Sequence, residues 1–336
     1  KILNNKYKGA KQIVKINYIN VMNEIIHYCC GSYEQGYTGG VPRYNYQIKL
    51  AFPHRKFFQG PQQKNRMLSF LKTCKNPIVI TDNHLACDIP NNYKLFLVHH
   101  GCAKTTALRN PNWGEPWKSL CTNGQNKMLT YRDPQTTTII SISQACTDDF
   151  IKYYGANYDK FTRMDILHPS ELDETRFKIQ FNENPIILGN WAHIKKGKKI
   201  IPILNKNIPK FNFRQLSIRI NNGNIQLFNK NKQDIYLNSD IFLQLSNSEG
   251  NSYATLDALL CGIPVVSSNV GLFYKDVPED CFVKLDWTKI NDVKYVEEKL
   301  KYAWEHREEL GRKGREWYMK NCRLENWISK MKHLIK

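Results

Sequence analysis

An α/β fold of two Rossmann-like βαβ domains is predicted by three observations. Short apolar runs of strand length recur at residues 24–30, 77–81, 94–98, 186–189 and 240–245. Most of them run out into glycine or small polar residues, as parallel strands buried on both faces do. The length of 336 residues allows two domains that each bury a core. The first domain is read as residues 1–172, the second as 185–305, and 306–336 as terminal helices. A polar connection over 171–184, ending at Pro185, separates the domains.

Composition narrows the class. With 41% hydrophobic and 12% aromatic residues the chain is globular rather than disordered. No apolar window is long enough to span a membrane, and no leader pattern opens the sequence. Ten cysteines show no C-x-x-C pair, and Cys29, Cys30 and Cys261 sit in apolar runs, which reads as reduced and buried. No N-x-S/T sequon occurs, so a reducing, cytoplasmic compartment is expected. The net charge of +19 suits an anionic small substrate, an anionic membrane surface or nucleic acid. An AT-rich coding sequence would also give these lysines scattered among asparagine and isoleucine. Without a zinc-finger or RNP pattern, nucleic acid is not the expected partner.

Taken in order, residues 24–30 form a first buried strand closed by Gly31. The loop to Gly40 carries Gly36, Gly39 and Gly40, and Val41, Pro42 and Arg43 open a helix with proline near its start. Met67, Leu68, Leu71 and Cys74 make an apolar stripe on a helix whose other face is basic. That helix either covers the sheet or contacts a membrane surface. The strand at 94–98 ends in His99 and His100, and ligands of open parallel sheets bind beyond such strand ends. One histidine is expected to pack and the other, His100, to face the cleft. Zinc is not expected, because further ligands at local spacing are missing. Residues 102–135, rich in Trp, Gly, Pro and Asn, read as a long irregular loop suited to an acceptor, or as a loop packed on itself.

A strand at 136–143 leads into a helix ending at Gly155, and 163–169 runs as a strand toward the connection. In the second half, 186–189 is a strand followed by Asn190, His193, Lys195, Lys196 and Gly197. Residues 216–220 read as a strand. Val293, Val296, Leu300 and Trp304 mark an amphipathic helix, and 307–336 hold one or two more.

Residues 246–271, SNSEGNSYATLDALLCGIPVVSSNVG, organise the rest. A strand gives way to Glu249, Gly250, Asn251 and Ser252, and the last two are good N-caps for a helix. Ala254, Ala258 and Cys261 share one face of it, while Tyr253 and Asp257 share another. Gly262 and Pro264 end it, and Val265 and Val266 begin a new strand. The open N–H groups at the helix start favour an anion such as a diphosphate. Asp257 alone could equally be a solvated helix carboxylate.

The string from Glu249 through Asp257 to Val266 resembles the donor-site motif of family 4 glycosyltransferases, which have the GT-B fold. That family carries two glutamates at this separation before A-x-x-x-G-x-P-V-V, so Asp257 is one methylene short. The resemblance is strongest over 243–271 and recurs at Gly39, Gly40 and Arg43 (G-G-x-x-R), at His100, and at Lys196 and Gly197. It implies a GT-B arrangement: two domains facing across a cleft, with the C-terminal helix crossing back to the first. It implies sugar transfer from a nucleotide-diphospho-sugar to an unidentified glycan, lipid or protein acceptor, with retention and no metal or other cofactor. Glu249, His100 and Lys196 would be catalytic. Gly39, Gly40, Asn190, Lys195, Lys196, Gly250, Asn251, Ser252, Tyr253 and Asp257 would bind the donor, Glu249 holding sugar hydroxyls and Asp257 the ribose, with 220–228 the region to inspect for the base. Asn190 stands where the family has arginine, and Lys195, His193 or Lys198 is expected to supply the missing charge. Two other classes stay open: a non-catalytic sugar or nucleotide binder, and a basic protein that binds or glycosylates DNA.

Overall fold

A computed structural model describes residues 24–218 and 224–336. The first half contains β1 (Glu24–Cys29), α1 (Gly40–Ala51), β2 (Lys56–Gln59), α2 (Lys64–Leu71), β3 (Pro77–Asp82) and β4 (Lys94–His99). It continues through α3 (Ala103–Arg109), α4 (Trp117–Tyr131), β5 (Thr137–Ser141), α5 (Gln144–Tyr154), α6 (Ala156–Asp159) and β6 (Thr162–Asp165). The second half contains β7 (Ile186–Gly189), α7 (Ile201–Asn207), β8 (Asn212–Gln215), α8 (Ile225–Leu237), β9 (Ile241–Gln244) and α9 (Tyr253–Leu260). It ends with β10 (Val265–Ser268), α10 (Leu272–Lys275), β11 (Val283–Leu285), α11 (Val293–Glu305), α12 (Arg307–Asn321) and α13 (Leu324–Leu334).

Two parallel sheets result, in the orders β2-β1-β3-β4-β5-β6 and β11-β10-β9-β7-β8. Central strands such as β3 and β9 are buried along their whole length, because helices cover both sheet faces. One core lies on each face of each sheet. Residues 166–185 cross between the sheets without helix or strand. The helix starting at α9 obeys its local signals: Ser252 is the N-cap residue, and Gly262 takes a left-handed φ of 69° just past its end. The chain then returns to the first domain, as the sequence implied. Trp327, Met331 and Ile335 from the C-terminal end pack with Tyr44 and Ile48 of α1 in one core.

Three expectations need correction, and one pair of alternatives is decided. Residues 102–135 are not an irregular loop, since α3 and α4 occupy most of them. Burial of Met128 and Leu129 and the bonds of the Gln125 amide to Ala103 N (2.8 Å) and Gly101 O (2.7 Å) hold α4 against the sheet end. The strand expected at 216–220 lies earlier, at β8; residues 219–223 of that stretch and of the base region are outside the described residues. Cys30 is exposed, because it lies just past the end of β1. On α2, Met67 and Leu71 are buried in the core, so this helix covers the sheet.

Trp327 is 3% exposed and meets the Tyr44 ring edge-on at 5.7 Å. Trp327→Ala is expected to destabilise the protein by about 3–5 kcal/mol, read as a lower urea midpoint with an unchanged slope. A loss below about 1 kcal/mol would show that the returning helix is only loosely packed.

Candidate active site

In each sheet the chain leaves one strand to one side and later resumes on its other side. β1 lies between β2 and β3, and β7 lies between β8 and β9. Loops diverge beyond the strand ends at such switch points and open a crevice. The two crevices face each other. They form one cavity of about 630 Å³, lined from the first half by Gly39, Gly40, Arg43 and His100 and from the second by Asn190, Lys196 and residues 249–254.

On the second-domain wall, Lys196 Nζ lies 3.0 Å from Glu249 Oε1, which also accepts a 2.8 Å bond from the Ser246 hydroxyl. Burial alone would raise the Glu249 pKa, but the Lys196 and Lys195 ammoniums and the Ser246 bond outweigh it and hold the carboxyl below its usual range. The turn that follows must be glycine at 250: a Cβ there would stand 2.1 Å from the His100 carbonyl oxygen. The Ser252 side chain makes no capping bond, so the start of α9 keeps donors for an incoming anion. Trp191 is buried and donates from Nε1 to Leu243 O at 3.1 Å, anchoring the loop that carries Asn190 and Lys196.

On the first-domain wall the two histidines separate as expected. His99 is fully buried and stacks on Phe150 at 4.1 Å, whereas His100 lines the cavity and sits 2.9 Å from Asp82 Oδ1. Burial would raise Asp82, but the His100 contact and the neighbouring His27 and Asn45 together lower it. Gly39 has a φ of 123° and brings the backbone at the start of α1 into the cleft.

Asp257 is not a solvated carboxylate, being 1% exposed. Arg43 donates to both its oxygens, from Nη1 at 2.8 Å and Nη2 at 2.7 Å, and Ser170 Oγ donates at 2.6 Å. Arg43 also pairs with Glu171 at 2.5 Å and lies 4.3 Å over the Tyr253 ring. Tyr253 stacks on His168 at 3.8 Å and donates its hydroxyl to Gln47. Lys232 Nζ, 3.2 Å from Asp257 Oδ2, makes no well-directed hydrogen bond there, although its residue is 4% exposed. Burial lowers the Lys232 pKa, with the Arg43 charge adding to the effect and Asp257 opposing it. A ribose hydroxyl reaching Asp257 must therefore join or displace Arg43.

The cavity thus gathers every sequence candidate except Lys195, which lines a neighbouring cavity. Sequence reasoning assigned no role to Arg43 or Lys232. Arg43 carried a signal as the last residue of G-G-x-x-R, while Lys232 was one lysine among many. Among the described residues, no group of three or more His, Cys, Asp and Glu side chains is placed to hold a metal ion.

Residues 215–317 match the model of the family described as glycosyl transferases group 1. Sucrose-phosphate synthase from Thermosynechococcus elongatus is similar in structure, with a TM-score of 0.71 at 14% identity, covering 93% of this chain and 98% of that one. HepE of Anabaena, solved with UDP and glucose, gives 0.66 at 11% identity over 92% of this chain and 98% of its own. WaaG, a glycosyltransferase involved in lipopolysaccharide biosynthesis, gives 0.62 at 12% identity over 93% and 99%. The fold is GT-B. No curated protein matches the chain in sequence.

The carboxyl of Asp257 is lowered from 3.8 to about 2: burial opposes this, and Arg43, Lys232 and Ser170 prevail. A depressed folded-state pKa gives stability that is full above the unfolded value and lost as pH falls through the folded one. Wild type should therefore lose stability between about pH 4 and 2 from this group. Asp257→Asn should instead lose about 3–5 kcal/mol already at neutral pH, because two cations are left buried beside a neutral amide. Urea midpoints across the acid range test this; identical acid profiles for the two proteins would refute it.

Proposed function

We propose that the chain is a glycosyltransferase that moves a sugar from a nucleoside-diphosphate sugar to an acceptor hydroxyl, with retained anomeric configuration and no metal ion. One observation carries the reading: the Lys196–Glu249 pair stands at the start of α9, in the cleft where both switch points meet. Lys196, the N–H groups at the start of α9 and the Gly39–Gly40 backbone offer positive charge and donors to the diphosphate. Glu249, held ionised, accepts from sugar hydroxyls, and His100 faces the same space. The acceptor oxygen bonds the anomeric carbon as the diphosphate leaves, and the acceptor proton passes to the departing phosphate oxygen. Asp257 receives the ribose once Arg43 shifts toward Glu171. The binding of UDP and glucose by HepE supports a nucleoside diphosphate as the donor's leaving group. Ten free cysteines support a reducing, cytoplasmic place of action.

The Arg43–Asp257 bond and Asn190 favour one second reading, nucleotide or sugar binding without turnover. Thermal shifts with UDP-, GDP- and ADP-sugars, followed by transfer or donor hydrolysis, separate the two. Binding at a hundredfold over the dissociation constant stabilises by about 2.7 kcal/mol. A melt unmoved by every nucleotide would sink both readings. Lys196→Ala and Glu249→Gln should each lower turnover by about 10²–10³-fold. Chelation should leave the rate unchanged, and product NMR should show the donor's anomer.

Asn190 adds a sharper test. Arginine there would offer a charged bond of about 1.5–3 kcal/mol. With Lys196 already supplying charge to the cleft, Asn190→Arg should raise donor affinity by less than about threefold, whereas Lys196→Ala should lose most of it. A large gain for the arginine with Lys196→Ala unaffected would identify a vestigial phosphate site.

A further inference from the structure

A second cavity, also about 630 Å³, opens between residues 106–114 of the first domain and the 192–198 loop of the second. Its volume falls in the range of about 300–1,000 Å³ typical of small-ligand sites. It shares Ala192 and His193 with the donor cleft, so the two spaces adjoin across one loop. Its lining is unusual in charge: Arg109, Lys195 and Lys198 contribute cations, and no Asp or Glu is present. Elsewhere in the cleft each cation faces a carboxylate, as Lys196 faces Glu249 and Arg43 faces Asp257.

The wall is fixed from both domains. Asn110 and Asn247 exchange side-chain amide bonds of 3.0 and 2.9 Å, and Arg109 Nη1 donates to Asn247 O at 2.8 Å. Asn247 N in turn bonds Lys195 O at 3.0 Å, tying the lysine loop to the same asparagine. Trp113 adds a half-buried aromatic ring to the lining. An aromatic face suits the C–H face of a sugar ring, and the Lys195 and Lys198 ammoniums, which make no ion pair among the described residues, suit a carboxylate or phosphate.

We infer that this cavity is the acceptor subsite and takes a saccharide bearing an acidic group, carboxylate or phosphate. The inference rests on the transferase reading for the word acceptor, and on the cavity alone for the ligand's chemistry. Lys195, expected from sequence to bind the donor, lines this second cavity, and its charge also reaches Glu249 across the shared loop.

Ligand-observed NMR on the whole chain tests it, with and without saturating UDP to fill the donor cleft. The probes are methyl β-D-glucoside, methyl β-D-glucuronide and glucose 6-phosphate. At least one acidic probe should bind about tenfold tighter than the neutral one, as one charged hydrogen bond gives. The glucuronide and phosphate arms identify which acid is preferred. Added salt should erode that preference. The double variant Lys195→Met/Lys198→Met should bring the acidic probes down to the neutral level, and Trp113→Ala should weaken all three. Equal binding of neutral and acidic probes, or an acidic preference untouched by the double variant, overturns the inference. Failure of UDP, GDP and ADP alike to bind would overturn the transferase reading instead, and the probe titrations without nucleotide would still decide the cavity.

Discussion

Arg43 is the joint on which the two domains meet. It rises from the first turn of α1, is 2% exposed, and holds Asp257 of α9 with two bonds and Glu171 of the connecting segment with a third. A buried guanidinium pays heavily in lost hydration, and only neighbouring anions in good geometry offset that. Here two carboxylates, the Ser170 hydroxyl and the Tyr253 ring surround it. The value of such a knot lies in direction more than in stability. A bidentate pair fixes distance and orientation together, so α1, α9 and the crossing segment are held in one relation. The close approach of Gly250 to His100 and the bond from Asn251 Nδ2 to Ile142 O depend on that relation.

Topology explains why the polar residues gather where they do. Parallel strands bury apolar side chains along their length and release the chain at their carboxyl ends, so polar groups accumulate there. Asp82 ends β3, His100 follows β4, Asn190 follows β7 and Glu249 follows β9. Asp82, Asn190 and Glu249 lie beside a switch point, where no loop crosses to fill the crevice, and His100, one strand further on, reaches Asp82 at 2.9 Å. The site is thus a consequence of strand order, and the residue types decide only what it binds.

The legible parts were those whose signals are local. The strand, turn, helix and strand around Glu249 could be read because capping residues, Gly262 and the alternation of buried positions all lie within one short stretch. Two of the four edge strands were poorly legible: β2 reads KFFQ and β8 NFRQ, with most of β8 exposed. An edge strand pairs on one side and need not be apolar throughout, so its pattern is weak. The helix α4 was hidden by tryptophan, glycine and asparagine in its sequence, and tertiary burial of Met128 and Leu129 overrides that weak propensity. The bond between Arg43 and Asp257 spans 214 positions, and no spacing rule reaches that far.

The loop from Asn190 to Lys198 lies between the two cavities and lines both. Its ends are fixed, Trp191 in the core and Gly197 in a left-handed turn at φ 90°. Its side chains divide: Asn190 and Lys196 line the interdomain cleft, Lys195 and Lys198 the second cavity, and His193 borders both. A diphosphate drawing on Lys196 must compete with Glu249 for the same ammonium, since the two are already 3.0 Å apart. Lys195 and Lys198 of the same short anchored turn border the second cavity. On the proposed reading, the charges that meet donor and acceptor sit on one short anchored loop, where Lys195, Lys196 and Lys198 supply the positive charge that asparagine at 190 does not.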